Sequence, residues 1–324
     1  MDDRMLDEYR REPDPRFASE LRDRLRRLER RAFPSRRATR IFAAVAAAAA
    51  ITVVFAVPSV RVSAQAVLDV FRVKRFAAVE FKESRRDLLA SIDKERGFLV
   101  FDQQEKVLDP GPPTYVASRE AATAKAGFEV STPSFLPPGM AADSVFVQGE
   151  AAARMAVSES KLRSLLERLD LKDVTVPAGL DGHWVELRKP PVVMQRFKSE
   201  RRRAMFLQAP SPEVTLPAGW NLTQLGEIGL RILGLDARAA KRIAKATDWR
   251  STLLVPLPMN ATSFRQVTVR GQSGLLIMTT GEPAADGKRH REKTILMWSA
   301  GDRIFFLQGD LDGKELVRMA ESVS

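Results

Sequence analysis

Seventeen consecutive residues, Ile41 to Val57, carry no charge and one polar side chain, Thr52, before Pro58. At about 1.5 Å rise per residue, a helix of roughly 17 to 20 residues reaches 25–30 Å, the hydrocarbon thickness of a bilayer. Ile41, Phe42, Val45, Ile51, Val53, Val54, Phe55 and Val57 together favour insertion by about 2–5 kcal/mol, with alanine near neutral. The run therefore predicts a single transmembrane helix over 41–60, and the lipid bilayer as the first partner of the chain.

The flanks give the span a direction. From Arg22 to Arg40 there are nine arginines against Asp23 and Glu29, whereas Arg61 is the only basic residue on the far side before Arg72. Positive residues stay on the cytoplasmic side, which predicts residues 1–40 inside and 61–324 outside. A cleaved signal peptide is the competing expectation, since Ala64-Gln65-Ala66 resembles a cleavage site. The apolar core is longer than a signal core and the preceding 40 residues are longer than a signal n-region, which favours an uncleaved anchor.

Within the tail, Asp14 and Pro15 are suited to the N-cap and first position of a helix. Phe17, Leu21, Leu25 and Leu28 then fall on one helical face, arginines cover the rest, and Pro34 ends the pattern. So short a helix is marginal alone and its apolar stripe needs a surface. The expected surface is a partner protein's groove, with these four residues as the contact set. The inner leaflet, or no surface beyond a charged spacer, is the alternative.

Composition limits the chemistry. The chain has 324 residues, no cysteine and two histidines, His183 and His290. Disulfides, thiolate catalysis and cysteine-ligated zinc are excluded. The net charge is +11, divided as +4 in residues 1–40 and +7 after them. Because the basic residues are dispersed, the charge reads as a solvated surface and predicts no direct nucleic-acid partner. No Gly-x-Ser-x-Gly elbow, phosphate loop or dinucleotide fingerprint occurs. His183 reads as a structural strand residue beside Trp184, and His290 as part of a charged surface run. Arg201-Arg202-Arg203 with Lys198 reads as a solvated basic loop. No catalytic residue, cofactor or metal is expected.

After the span, residues 61–117 are expected to form a helical stalk and loop. Residues 62–80 carry an amphipathic helical pattern, as do Ser84–Glu95, and 103–118 read as loop around Pro110-Gly111-Pro112-Pro113. Residues 118–324 are expected to form an α+β domain. Helices are predicted over Ala121–Lys125, Glu159–Leu169, a pair between 220 and 247, and Gly313–Ser322. Extended runs are predicted at Val145–Val147, Val174–Val176, His183–Leu187, Val192–Phe197, Ala204–Gln208, Leu253–Leu257, Phe264–Arg270, Leu275–Thr280, Thr294–Trp298 and Arg303–Gln308. Hairpin turns are expected at Gly271–Gly274 and Ser299–Asp302. Strands on both sides of an inserted helical pair predict a mostly antiparallel sheet, preceded by the single transmembrane helix.

Three stretches carry a resemblance: Ala126-Gly127-Phe128-Glu129-Val130 with Pro133 to Met140, Trp298 with Phe305-Phe306-Leu307, and Glu315 to Ser322. Over 118–324 they resemble an extracytoplasmic domain of unassigned activity in bacterial single-span, anti-sigma-factor-like membrane proteins, and more distantly the MucB/RseB family of periplasmic sigma-factor regulators. The resemblance implies a sensory or regulatory protein that binds partners rather than catalysing, with a sigma factor as the possible cytoplasmic partner and an unknown ligand outside. It departs from zinc-binding anti-sigma domains, because residues 1–40 hold neither histidine nor cysteine. The alternative is a tethered protein binding peptide, lipid or wall polymer, with no signalling role.

Overall fold

A computed structural model describes residues 73–79, 85, 100–217, 219–257, 261–280 and 293–324. The tail with Phe17, Leu21, Leu25 and Leu28, the apolar run 41–60, His290 and all of Ser84–Glu95 except the helical Arg85 lie outside them. Among the described residues no helix is long and apolar enough to cross a membrane.

The described part is α+β, with antiparallel pairing everywhere except one strand pair. Strands β1 (Arg75–Val79), β2 (Phe101–Leu108) and β3 (Thr114–Val116) come first, then helix α1 (Arg119–Ala126). Next are β4 (Ala141–Gln148), β5 (Ala151–Val157), α2 (Glu159–Arg168), β6 (Trp184–Lys189), β7 (Val192–Lys198), β8 (Arg203–Pro210) and β9 (Glu213–Thr215). The helical pair α3 (Leu222–Ile232) and α4 (Ala237–Ala246) follows, as expected from the pattern. Then come β10 (Thr252–Pro256), β11 (Ala261–Val269), β12 (Gln272–Thr279), β13 (Lys293–Ala300), β14 (Arg303–Gly309) and α5 (Gly313–Glu321).

One sheet has eight strands in the order β11-β12-β13-β14-β8-β7-β4-β3, and a second has four, β2-β5-β6-β9. The two share their chain paths. Pairing of β4 with β7 ends at Gln148↔Val192 and resumes in the same register at Ala151↔Lys189 between β5 and β6. Likewise Val193↔Gln208 is continued by Arg188↔Glu213. The ladder is thus broken along one line, at Pro110–Pro113, Gly149-Glu150, Pro190-Pro191 and Ser211-Pro212. Proline has no N–H to give a ladder, so it interrupts pairing where it stands. Gly149 sits under the neighbouring path, where a Cβ would lie 2.8 Å from the Pro110 carbonyl oxygen.

The face toward α3 and α4, called inner here, joins the larger core. Met155, Val157, Val185 and Val214 meet Leu162, Leu165, Leu166 and Leu169 of the α2 region and Leu222, Leu225 and Ile228 of α3. The opposite, outer face carries Phe206, Leu296, Trp298, Phe305 and Leu307 under Leu316, Met319 and Ala320 of α5. At its far end α1 covers Val147 and Val193 with Ala122 and Ala126. Because β12–β14 are buried on both faces, they read as nearly continuous apolar runs.

Several sequence expectations are corrected. The helix expected over 62–80 is a strand at Arg75–Val79, which pairs in parallel with β10, Phe76 opposite Leu253. The loop expected over 103–118 contains β2 and β3, paired with β5 and β4. Strand β2 is an edge strand exposed at seven of its eight positions, so it has no apolar alternation to announce it. Strands of 73–117 therefore belong to the same sheets as 118–324, where a stalk was expected. Val174–Val176 is not a strand, although Val176 is buried. The β11–β12 turn lies two residues earlier, at Val269–Gln272, and its central residues Arg270 and Gly271 both have positive φ (50° and 78°), as a two-residue hairpin turn with matching twist requires.

Candidate functional site

The cross-strand register aligns one row of inner-face side chains across seven strands. Tyr115 faces Phe146, then Met194, Leu207, Phe306, Met297 and Leu275 follow, each opposite the last. Met297 and Leu275 lie inside the larger core, and Phe306 packs against it. From there the row leaves the core: Leu207 and Met194 are half-buried, Phe146 is buried, and Tyr115 is 62% exposed. With strands about 4.8 Å apart, Tyr115 to Phe306 spans about 19 Å of apolar sheet.

Phe146 is held from two sides. The Tyr115 ring meets it edge-on at 5.8 Å, and the Arg196 guanidinium lies 4.8 Å from its centroid. Burial depresses the Arg196 pKa below the usual guanidinium range, while the charge of Asp143 opposes that shift. Asp143 is in turn held below the ordinary carboxylate range, chiefly by its hydrogen bond from Lys198. This face can receive an apolar body, with the Arg196 guanidinium stacked on Phe146 at its margin. Nothing in the sequence announced it, because both faces of the neighbouring strands are apolar and the half-open row is hidden in the same pattern.

Most of the residues that carried the resemblance are brought together on the outer face, where they do structural work, while Phe306 lies in the inner-face row. Gln208, 1% exposed, donates to the Ser131 carbonyl at 2.6 Å and accepts from the Ser131 N–H at 2.8 Å. Gln195 donates to the Ser131 carbonyl and the Thr132 hydroxyl at 3.2 and 3.0 Å. The Pro133–Met140 stretch is thereby pinned, and the Thr132 and Ser134 N–H groups donate to the Ser324 and Ser322 carbonyls. Beneath it Phe206, Trp298 and Phe305 stack with centroids 5.1 to 6.0 Å apart.

His183 is exposed, with Nδ1 3.2 Å from the Asp181 carbonyl and its ring 6.2 Å from that of Trp220. The basic loop is largely engaged: Lys198 pairs with Asp143, and Arg202 Nη1 binds both Glu315 oxygens at 2.9 Å. Among the described residues no three His, Asp or Glu side chains are grouped closely enough to hold a metal ion. Comparison with known protein families, characterised proteins and solved structures found no match to this chain.

Proposed function

We propose that this chain is a single-span membrane protein that binds a ligand with its extracytoplasmic α+β domain and relays that state to a cytoplasmic partner through its N-terminal helix. A sigma factor is the partner class implied by the resemblance. The observation that carries the reading is the uncharged run Ile41–Val57 between an arginine-rich tail and a folded body. The tail bears one apolar stripe, Phe17, Leu21, Leu25 and Leu28, suited to a groove. The half-open row from Tyr115 to Phe306 supports a binding role for the α+β domain, since it offers apolar area about 19 Å long.

Co-purification of cytoplasmic partners with the full chain, set against the Leu21→Asp/Leu25→Asp variant, tests the relay. Loss of a specific partner in the variant, at unchanged membrane level, is the expected outcome. Equal recovery from both would overturn docking and leave residues 1–40 as a topogenic anchor for a tethered binding protein.

A further inference from the structure

An open groove of about 580 Å³ runs between α5 and the edge strand β11. Among the described residues its walls carry Arg265, Lys314 and Arg318 against a single acid, Glu321, over an apolar floor that includes Val267 and Val317. Three cations less one carboxylate leave a local charge of +2. The other acids of α5 are occupied elsewhere. Asp312 caps the helix by accepting from the Lys314 and Glu315 N–H groups, and Glu315 is bound to Arg202. Among the described residues neither Arg265 nor Lys314 meets a carboxylate. Arg318 lies 4.1 Å over the Phe135 ring, a contact that leaves its charge in place at the groove wall.

Among the described residues Arg265, Lys314 and Arg318 line one groove with Glu321 as its acid, and an anion bound there offsets the repulsion between their like charges. We propose that this groove binds a phosphomonoester group. Such a group carries about −1.5 to −2 charge at pH 7, matching the groove, whereas a carboxylate or phosphodiester supplies −1 and leaves a cation uncompensated. The planar fork of Arg265 suits two phosphate oxygens, and the Lys314 ammonium supplies a point charge. The valine floor accepts the carbon skeleton next to the ester. The site is on the outer face, and its ligand is independent of the inner-face row.

Calorimetry on the full chain in zwitterionic micelles tests this, with inorganic phosphate and glycerol phosphate as probes, and chloride and dimethyl phosphate at matched ionic strength as controls. Saturable binding of the monoesters is expected, weakening below about pH 6 as the second proton returns. The Arg265→Gln/Lys314→Gln variant is expected to lose about tenfold or more in affinity. Glu321→Gln, which removes the acid that lines the groove, is expected to tighten binding by roughly three- to fivefold. That gain is a result a purely structural role would not produce, and it is readable even if the double variant folds poorly. Micelles doped with phosphatidic acid separate the sources: competition with glycerol phosphate marks a lipid headgroup, and its absence a soluble ester. No saturable monoester binding, or affinity unchanged in both variants, would overturn the proposal.

Discussion

Asp248 shows how one side chain sets a strand. Its carboxylate accepts from the Ser251 hydroxyl at 2.5 Å and the Arg250 N–H at 3.1 Å, and its carbonyl accepts from Thr252 at 3.0 Å. The Ser251 carbonyl so positioned receives the Lys74 and Arg75 N–H groups, which starts the β1–β10 pairing. The hydrogen bond from Ser251, followed by those of the loop and the charge of Arg75, holds the Asp248 pKa below the usual range. A depressed carboxylate stabilises the fold above its unfolded pKa, about 3.9, and that contribution is lost as pH falls through the folded value. Urea midpoints of the chain and of Asp248→Asn should therefore differ by a constant amount from neutral pH down to about pH 5. The gap should close below about pH 4. A gap that widened on acidification would contradict the role given to this residue.

Among the elements, the helical pair depends on a glycine that its sequence pattern leaves unexplained. Helix α3 buries Leu222, Leu225, Gly226, Ile228, Gly229, Leu230 and Ile232, so it is apolar nearly all round. Helix α4 buries only Ala240 and Ala244, and small residues there let the helices approach closely. Trp249 closes the pair by donating from Nε1 to the Ala244 carbonyl at 2.8 Å, with its ring over Gly226. A Cβ on Gly226 would lie 2.1 Å from that ring. The gain in helix propensity from alanine, about 1 kcal/mol, is outweighed by the displaced indole. Gly226→Ala should destabilise by about 1–3 kcal/mol in thermal or urea unfolding. It should also shift Trp249 emission to the red. Stabilisation instead would mean that the indole moves aside freely.

At the scale of the whole molecule, the folded body begins before residue 118. Val73, Phe76, Val79, Val100 and Phe101 are each at most 7% exposed and belong to the larger core. Fully burying such side chains contributes about 1.5–3 kcal/mol each, about 7–15 kcal/mol for five. That matches the entire stability of an ordinary domain, about 5–15 kcal/mol. A chain starting at Arg61 should therefore melt cooperatively with a near-ultraviolet dichroism signal. One starting at Ser118 lacks β1, β2 and β3 and should not. A cooperative transition in the shorter chain would restore a domain beginning at 118.

Local signals were sufficient wherever the determinants were local. Ser158, Asn221, Asp236 and Asp312 cap helices whose buried faces follow the apolar spacing, and Gly234 ends α3 with φ of 100°. The alternation of His183–Leu187 and the runs of β12–β14 likewise marked strands, because side chains there are sorted by the faces they occupy. What the tertiary structure alone decided involves partners distant in sequence. Phe76 and Val79 fit a helix or a strand equally until β10 lies alongside, and β2 is a strand only because β5 supplies its ladder. The row from Tyr115 to Phe306 and the groove of Arg265, Lys314 and Arg318 arise from strand register and helix docking, which join residues up to 191 positions apart (306 − 115). A side chain's identity dictates what it can contact, but register and packing against distant elements select what it does contact.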